Sequence, residues 1–272
     1  MSNADDIRGQ YRDSSKLARR ANLHKYASSP GVSWFDWIAQ KASLPDSTRV
    51  LDVGCGPGWM WRASGFPSTL DITLADISDG MVSEAVTRVR GFGRYRSVEG
   101  QQADAASLPF GDHSFGAVLA CHMLYHVSDP GSALDEMVRV LRPGGMLIVT
   151  TTGIDNMSEM YELAHAAWGA PATDPGAERF GLEVASEALR ARLDDVETST
   201  VSNVLRVTDG EDIVAALTSY PPGEHANQHQ LGTLRTMITT RLMAGNGVFS
   251  ITTRQGLIKG RRRPLAVQNL DF

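Results

Sequence analysis

The sequence predicts an α/β fold built on a doubly wound, mostly parallel sheet, and three observations predict it. Short apolar runs of strand length recur between residues 49 and 150. Segments with helical spacing separate them. The first run, VLDVGCGPGW at residues 50–59, opens into three glycines at alternate positions. Strands that alternate with helices are joined by crossovers, and crossovers make neighbouring strands parallel.

The elements follow in order. Residues 5–28 are polar, with Leu17, Leu23 and Tyr26 scattered among basic residues, and predict one or two short helices that stop at Ser28-Ser29-Pro30-Gly31. A further short helix runs from Trp34 to Ala42, ended by Pro45 and Asp46. Arg49–Val53 reads as the first strand, Ile72–Ala75 as the second and Tyr95–Val98 as the third. Ala117–Ala120 and Met146–Thr150 read as the fourth and fifth. Ser78 is a suitable N-cap for a helix carrying Met81, Ala85 and Val89 on one face. Leu134, Met137, Val138 and Leu141 mark an amphipathic helix over 130–141, closed by Arg142-Pro143-Gly144-Gly145. Beyond Thr152 helices are expected around 156–169, 183–192, 211–218 and 224–244. One or two strands are expected over 196–207, and a last strand over 248–258. The division expected is a helical N-terminal cover over residues 5–45 and a main domain over 46–272, with a helical cap inserted at about 155–235.

Composition narrows the partners. The chain has 272 residues, 42% hydrophobic and 21% charged, with a formal net charge of −5. That balance is opposite to what a protein neutralising nucleic-acid phosphates needs. Arg261-Arg262-Arg263 is too local to change it. Two cysteines exclude a disulfide framework and fit a reducing, cytoplasmic setting. The stretch MSNADDIRGQYRD has neither the apolar core nor the basic flank of a secretory signal. No apolar run approaches the length of a membrane span.

The glycine turn asks for a ligand laid against main chain. Asp76 closes the second strand, where an acid can accept both hydroxyls of a ribose. The turn is not a dinucleotide fingerprint, because the place of the third glycine holds Trp59, whose indole would obstruct a pyrophosphate. After the third strand, Asp104 can accept from an adenine amino group while the Ala105 backbone meets the ring. Asp52 can face the ammonium of an amino acid. Amino acid, ribose and adenine together describe S-adenosyl-L-methionine.

With these residues in view, the sequence resembles the class I S-adenosylmethionine-dependent methyltransferases, in the small-molecule branch that includes UbiE-like and type 11 enzymes. VLDVGCGPG, TLADIS, ADAASLPF, ACHMLYHV and VRVLRPGGMLIVTT are similar to five successive motifs of that family, over about residues 48–152. The resemblance implies seven strands with the last antiparallel. It implies cofactor contacts at Asp52, Gly54, Cys55, Gly56, Gly58, Asp76, Ile77, Met81, Asp104, Ala105 and Cys121, with S-adenosyl-L-homocysteine as product. It implies methyl transfer to an O, N or C atom of a small molecule. The alternatives weighed against it are an NAD(P)-linked oxidoreductase and a non-catalytic binder of the same cofactor.

The family carries no universal catalytic residue, so the candidates come from this chain. His122 and His126 are four apart and would share a face if the segment were helical. Tyr11, His24, Tyr26, Tyr125 and Tyr161 are candidates for the acceptor pocket, with His165 and Trp168 beside them. No metal is expected, since the two histidines lack an apparent third ligand and Asp155-Asn156 lacks a partner at Cys121.

Overall fold

The structure is a computed structural model that describes residues 14–28 and 32–264; Tyr11 lies outside them. The seven strands are β1 (Arg49–Val53), β2 (Asp71–Asp76), β3 (Ser97–Gln102), β4 (Phe115–Cys121), β5 (Leu141–Thr152), β6 (Leu193–Val207) and β7 (Phe249–Arg262). They form one sheet in the order β3-β2-β1-β4-β5-β7-β6. The first five are parallel, and β7 runs antiparallel to both β5 and β6. The chain winds outward from β1 to β3 and then returns to β4 on the other side of β1. The loops after β1 and β4 therefore diverge from a common edge, the place where open sheets of this kind bind ligands.

Alternation along the strands builds two cores. Leu51 and Val53 of β1, with Val118 and Ala120 of β4, pack on one face with α4 (Pro130–Val140), α6 (Pro175–Phe180) and α7 (Leu182–Arg190). Val50, Ala117 and Leu119 point to the other face, against α2 (Trp34–Ala42) and α3 (Asp79–Gly91). A third cluster joins Leu23, Leu205, Val207 and Ile251 to α5 (Ser158–Trp168), α8 (Gly210–Leu217) and α9 (Gln228–Ala244).

Helix starts follow local chemistry. Ser78 accepts from the Met81 N–H, Asp129 from Ser132, and Asp174 from Gly176 and Ala177. No helix of the described residues is long and apolar enough to cross a membrane.

Several boundaries differ from expectation. The third strand lies at Ser97–Gln102, not Tyr95–Val98, because it is an edge strand with only Val98 buried. Its register comes from pairing with β2, from Asp71↔Ser97 to Asp76↔Gln102, and not from an apolar pattern. α2 ends at Ser43 in the left-handed conformation, φ 48°, before Pro45 is reached. β5 already begins at Leu141 and runs through Pro143-Gly144-Gly145. The range 155–235, expected as a helical cap, also holds β6, the outermost strand of the sheet, and α7, which packs on a sheet face, while α5, α8 and α9 pack together in the third cluster.

The N-terminal segment docks on that cap. Asp212 of α8 accepts from Asn22 Nδ2 at 2.7 Å and from the Tyr26 hydroxyl at 2.5 Å, and pairs with Lys25 at 2.7 Å. Lys16 of α1 (Ser15–Ala21) pairs with Glu224 at 2.7 Å. Hydrogen bonds to a charged group contribute about 1.5–3 kcal/mol each. Asp212→Ala should therefore raise amide exchange across residues 15–26 by about tenfold or more. Unchanged exchange would show that the Lys16–Glu224 pair and the apolar packing of Leu23 hold the segment without Asp212.

Candidate functional site

The three glycines after β1 have three different neighbours. All have positive φ, 66°, 51° and 73° for Gly54, Gly56 and Gly58. A Cβ on Gly54 would lie 2.7 Å from the Met123 Cβ, so this glycine lets the loop after β4 close over the turn. A Cβ on Gly58 would lie 3.0 Å from Val89 and 3.2 Å from the Ala85 backbone, so that one seats α3. Gly56 has nothing within 4 Å of its Cβ direction. Of the three, it alone faces open space, as a turn that carries a ligand on main chain requires.

Asp76 fastens this turn. Its Oδ2 accepts from the Gly56 N–H at 3.0 Å and its Oδ1 from the Ser78 N–H at 2.9 Å. The Cys55 N–H donates to the Ala75 carbonyl, and Arg88 of α3 donates to the Pro57 carbonyl. Burial raises the Asp76 pKa, and the backbone donors oppose that rise. Asp76 thus sits on the rim of the open turn, with a carboxylate already oriented. Ile77 follows, its carbonyl accepting from Gln102 Nε2. Asp104 is exposed at the same edge and accepts from the Ala106 N–H at 2.9 Å, beside the buried Ala105.

Two of the residues expected against the cofactor are sealed. Met81 is 1% exposed, and its N–H is the donor that Ser78 caps. Asp52 is 2% exposed and accepts from Trp61 Nε1 at 2.8 Å. Burial, opposed by that hydrogen bond, pushes the Asp52 pKa up to about 7. The residue is an acid held in the wall behind the turn, and it meets a ligand only when a neighbour moves. Cys55 and Cys121 are both free. Burial first, then Asp52, raises both thiols, which leaves them protonated. The Cys121 Sγ rests 3.4 Å from Met60 Sδ.

β4 ends at Cys121, and His122 turns the chain with φ 52°, a conformation costly for a residue with a Cβ. Its N–H donates to the Thr150 carbonyl at 3.0 Å. Its Nε2 is buried and has no hydrogen-bond partner. Burial, with His24 adding to it, lowers the His122 pKa to about 4. The segment is not the helical turn expected for a shared His122–His126 face: a 3₁₀ turn begins only at Leu124 and holds His126 at its end. The two rings instead flank Tyr125, with centroids 6.4 Å and 4.5 Å from its ring. Burial, then Arg20 and Arg179, lowers His126 to about 3.

Distant parts of the chain converge around these rings. Trp34 of α2 approaches His122, ring centroids 5.5 Å apart. His24 is solvent-accessible, and its pKa is lowered by the surrounding protein. Tyr161 of α5 and Tyr220 share a hydrogen bond, and burial raises both. Tyr26 is different, since Asp212 engages its hydroxyl and it packs in the third cluster as an anchor for the N-terminal turn. His165 Nδ1 donates to the Ala170 carbonyl, 2.7 Å away, and shapes the end of α5. Asp155 pairs with Arg254 at 3.0 Å. Among the described residues no group of three or more His, Cys, Asp and Glu is arranged to hold a metal ion.

Sequence reading singled out neither Asp174 nor Arg179 nor Tyr220. Asp174-Pro175-Gly176 carries a readable helix-start signature. The others show no local sign, because only the folding of the N-terminal segment and cap brings them here.

The comparisons with known proteins agree with this geometry. The family model described as a methyltransferase domain matches residues 51–149. A malonyl-[acyl-carrier protein] O-methyltransferase of Enterobacter lignolyticus is 30% identical over 197 residues, covering 71% of each chain. A ubiquinone/menaquinone biosynthesis C-methyltransferase UbiE of Ectopseudomonas mendocina is 36% identical over 118 residues, 43% of this chain and 46% of the relative. Apart from the first of these, the chain spans about half the length of the curated relatives it matches. Two solved structures share the fold. Phosphoethanolamine N-methyltransferase 2 of Haemonchus contortus, in complex with S-adenosyl-L-methionine, has a TM-score of 0.57 at 21% identity, over 97% of this chain and 60% of that one. The [4+2]-cyclase SpnF has a TM-score of 0.58 at 21% identity, over 96% and 97%. The chain belongs to the S-adenosylmethionine-dependent methyltransferases, and its cofactor is S-adenosyl-L-methionine. The open space at Gly56, rimmed by Asp76, fits that cofactor.

Two predictions test this arrangement. Alanine at a left-handed position costs about 1–2 kcal/mol. Gly54→Ala should cost more than that in unfolding free energy, because its methyl also meets Met123. Gly56→Ala should cost only the backbone strain, yet lose most of the thermal shift produced by S-adenosyl-L-homocysteine; an intact shift would place the ligand elsewhere. The second concerns Asp52. Folded Asp52 keeps its proton up to about pH 7, whereas the unfolded chain loses it near 3.8. The folded state holds more protons across that window, so stability falls as pH rises through it. Asp52→Asn should be more stable than the native chain in urea at pH 8, with the difference shrinking at pH 5. Equal gains at both would mean the carboxylate is already ionised at pH 5.

Proposed function

We propose that the chain transfers a methyl group from S-adenosyl-L-methionine to an O, N or C atom of a small molecule seated in a recess beyond β4. The observation that carries this reading is His122. A buried imidazole nitrogen with no partner, held on a left-handed turn beside the cofactor loop, is costly unless a ligand completes it.

When bound, the cofactor supplies a methyl group on a cationic sulfur, which passes to the acceptor as the sulfur–carbon bond breaks. The chain's own residues align and enclose. Asp76 holds the ribose hydroxyls, the Gly54–Gly58 backbone receives the amino-acid end, and Asp104 with Ala105 receives the adenine. Ile77 and Cys121 line the same edge. Asp52 offers a second-line carboxylate to the ammonium once Trp61 gives way. His122 is neutral at working pH, so Nε2 can hydrogen-bond the acceptor atom or hold its proton. His126 and Tyr125 fix the His122 side of the recess, and Tyr161 and His24 close the other. Trp34 and the docked N-terminal segment exclude water, which favours displacement at carbon. Two free, protonated thiols suit a reducing, cytoplasmic compartment. The negative net charge argues against nucleic acid as acceptor.

Calorimetry with S-adenosyl-L-homocysteine, followed by single-turnover methyl release across an acceptor panel, tests this reading. Asp76→Ala should weaken cofactor binding by about tenfold to a hundredfold, the value of a hydrogen bond to a charged group. His122→Ala should leave that binding intact and lower turnover by about a hundredfold or more, the contribution of a positioned proton acceptor. Tight binding of the cofactor with no methyl release to any acceptor would make the chain a binder and not an enzyme.

A further inference from the structure

A small cavity lies between α5, α8 and the segments that follow them, and none of its lining residues comes from the loops after β1, β2, β3 or β4. Its floor is apolar and buried: Ala164 of α5, Ala170, Leu217 at the end of α8, and Gly223. Three rings form its walls, Tyr161 and Trp168 of α5 and Tyr220. Pro171 and Pro222, both exposed, mark its open rim. The space measures about 260 Å³ with its mouth included, and the centre of a water-sized sphere can move through about 10 Å³ of it. Gly223 gives the indole room, since a Cβ there would lie 3.2 Å from Trp168 Cζ2. Cζ2 is two bonds from Nε1, so the nitrogen edge of the indole turns toward this wall.

Trp168 Nε1 is buried and has no hydrogen-bond partner. An indole N–H donates and never accepts, so only an acceptor can complete it. A buried donor left unpaired is costly and calls for an explanation. The lining side chains supply no partner. Apart from the indole, the polar ones are the phenols of Tyr161 and Tyr220, which share a hydrogen bond. The Ala170 carbonyl is engaged by His165 Nδ1.

The lining also narrows the occupant by charge. Asp174 acts on both phenols and would repel an anion, and no cationic side chain lines the cavity to offset it. A cation would meet the positive end of the indole N–H. A water would find one free side-chain donor among apolar walls, whereas a buried water usually makes about three hydrogen bonds. A neutral oxygen that only accepts, fixed to an apolar body, matches both the donor and the walls.

We propose that this cavity is a binding site for a small neutral molecule that places a carbonyl oxygen on Trp168 Nε1 and its apolar body between the prolines of the rim. Room of about 10 Å³ at the floor suits one such atom. The site goes beyond methyl transfer and does not rest on it.

Cyclohexanone and methylenecyclohexane test this, since the two share a shape and differ in whether an acceptor oxygen is present. Each is titrated into the full chain while NMR follows the indole N–H signals of the five tryptophans. The signal lost in Trp168→Phe identifies Trp168. Cyclohexanone should move that signal downfield, saturably, and leave those of Trp34, Trp37, Trp59 and Trp61 in place; methylenecyclohexane should not. By ligand-detected NMR, Trp168→Phe should weaken cyclohexanone about tenfold more than methylenecyclohexane, the worth of one hydrogen bond. Binding of S-adenosyl-L-homocysteine reports whether that variant is folded, and if it is not, the shift in the native chain decides. A Trp168 signal unmoved by cyclohexanone, an equal shift with both ligands, or shifts spread over all five indoles overturns the proposal. So does a cross-peak from the Trp168 indole to a long-lived water that cyclohexanone does not displace. Each of these outcomes leaves the binding of S-adenosyl-L-homocysteine, and with it the methyl-transfer reading, standing.

Discussion

Parallel pairing of β1 to β5 is the constraint on which the rest of the molecule depends. Because these strands share one direction, each sends its following loop to the same edge. The glycine turn, Asp76, Asp104 and His122 come from residues far apart in sequence, yet all follow a carboxyl-terminal strand end. The reversal of winding between β1 and β4 opens the cleft between their loops. Gly54 then lets those two loops touch, since any side chain there would collide with Met123. A site for a ligand on one loop and chemistry on the other follows from topology before any particular side chain is considered.

The turn after β1 and the surroundings of His122 are built by different means. At the turn, order comes from short-range hydrogen bonds: Asp76 to Gly56 and Ser78, Cys55 to Ala75, Gln102 to Ile77. Each links a loop to the strand or helix beside it, so the geometry is set within the sheet. Around His122, order comes from segments that precede and interrupt the sheet. Trp34 reaches His122 from α2, Arg20 and His24 arrive from the N-terminal segment, and Tyr161 and Tyr220 from the cap. Their anchorage is electrostatic at the surface, through Asp212 and Glu224, and apolar beneath, through Leu23.

Burial has opposite consequences for the acids and bases of the site. It raises Asp52 and both thiols and lowers His122 and His126, so each of these groups is pushed toward its neutral form. The strain at His122 and its unpartnered nitrogen belong to the same pattern, a local cost accepted where a ligand is to be received.

The sequence by itself determined the fold class, the glycine turn and the carboxylates that follow strands, because these are local: a strand, its turn and its cap occupy a few adjacent residues. β1 and α2 were legible almost to the residue for that reason, whereas β3 was misplaced since an exposed edge strand carries little apolar pattern. It also singled out His122 and His126, but through a helical spacing that the chain does not adopt. Only the tertiary structure decided which glycine faces open space, that Asp52 is sealed behind Trp61, and that Tyr26 anchors a segment. It alone assembled Arg20, Trp34, Arg179 and Tyr220 around the histidines. Those outcomes depend on contacts between residues up to about two hundred positions apart, fixed by the docking of whole elements and invisible to any window of sequence.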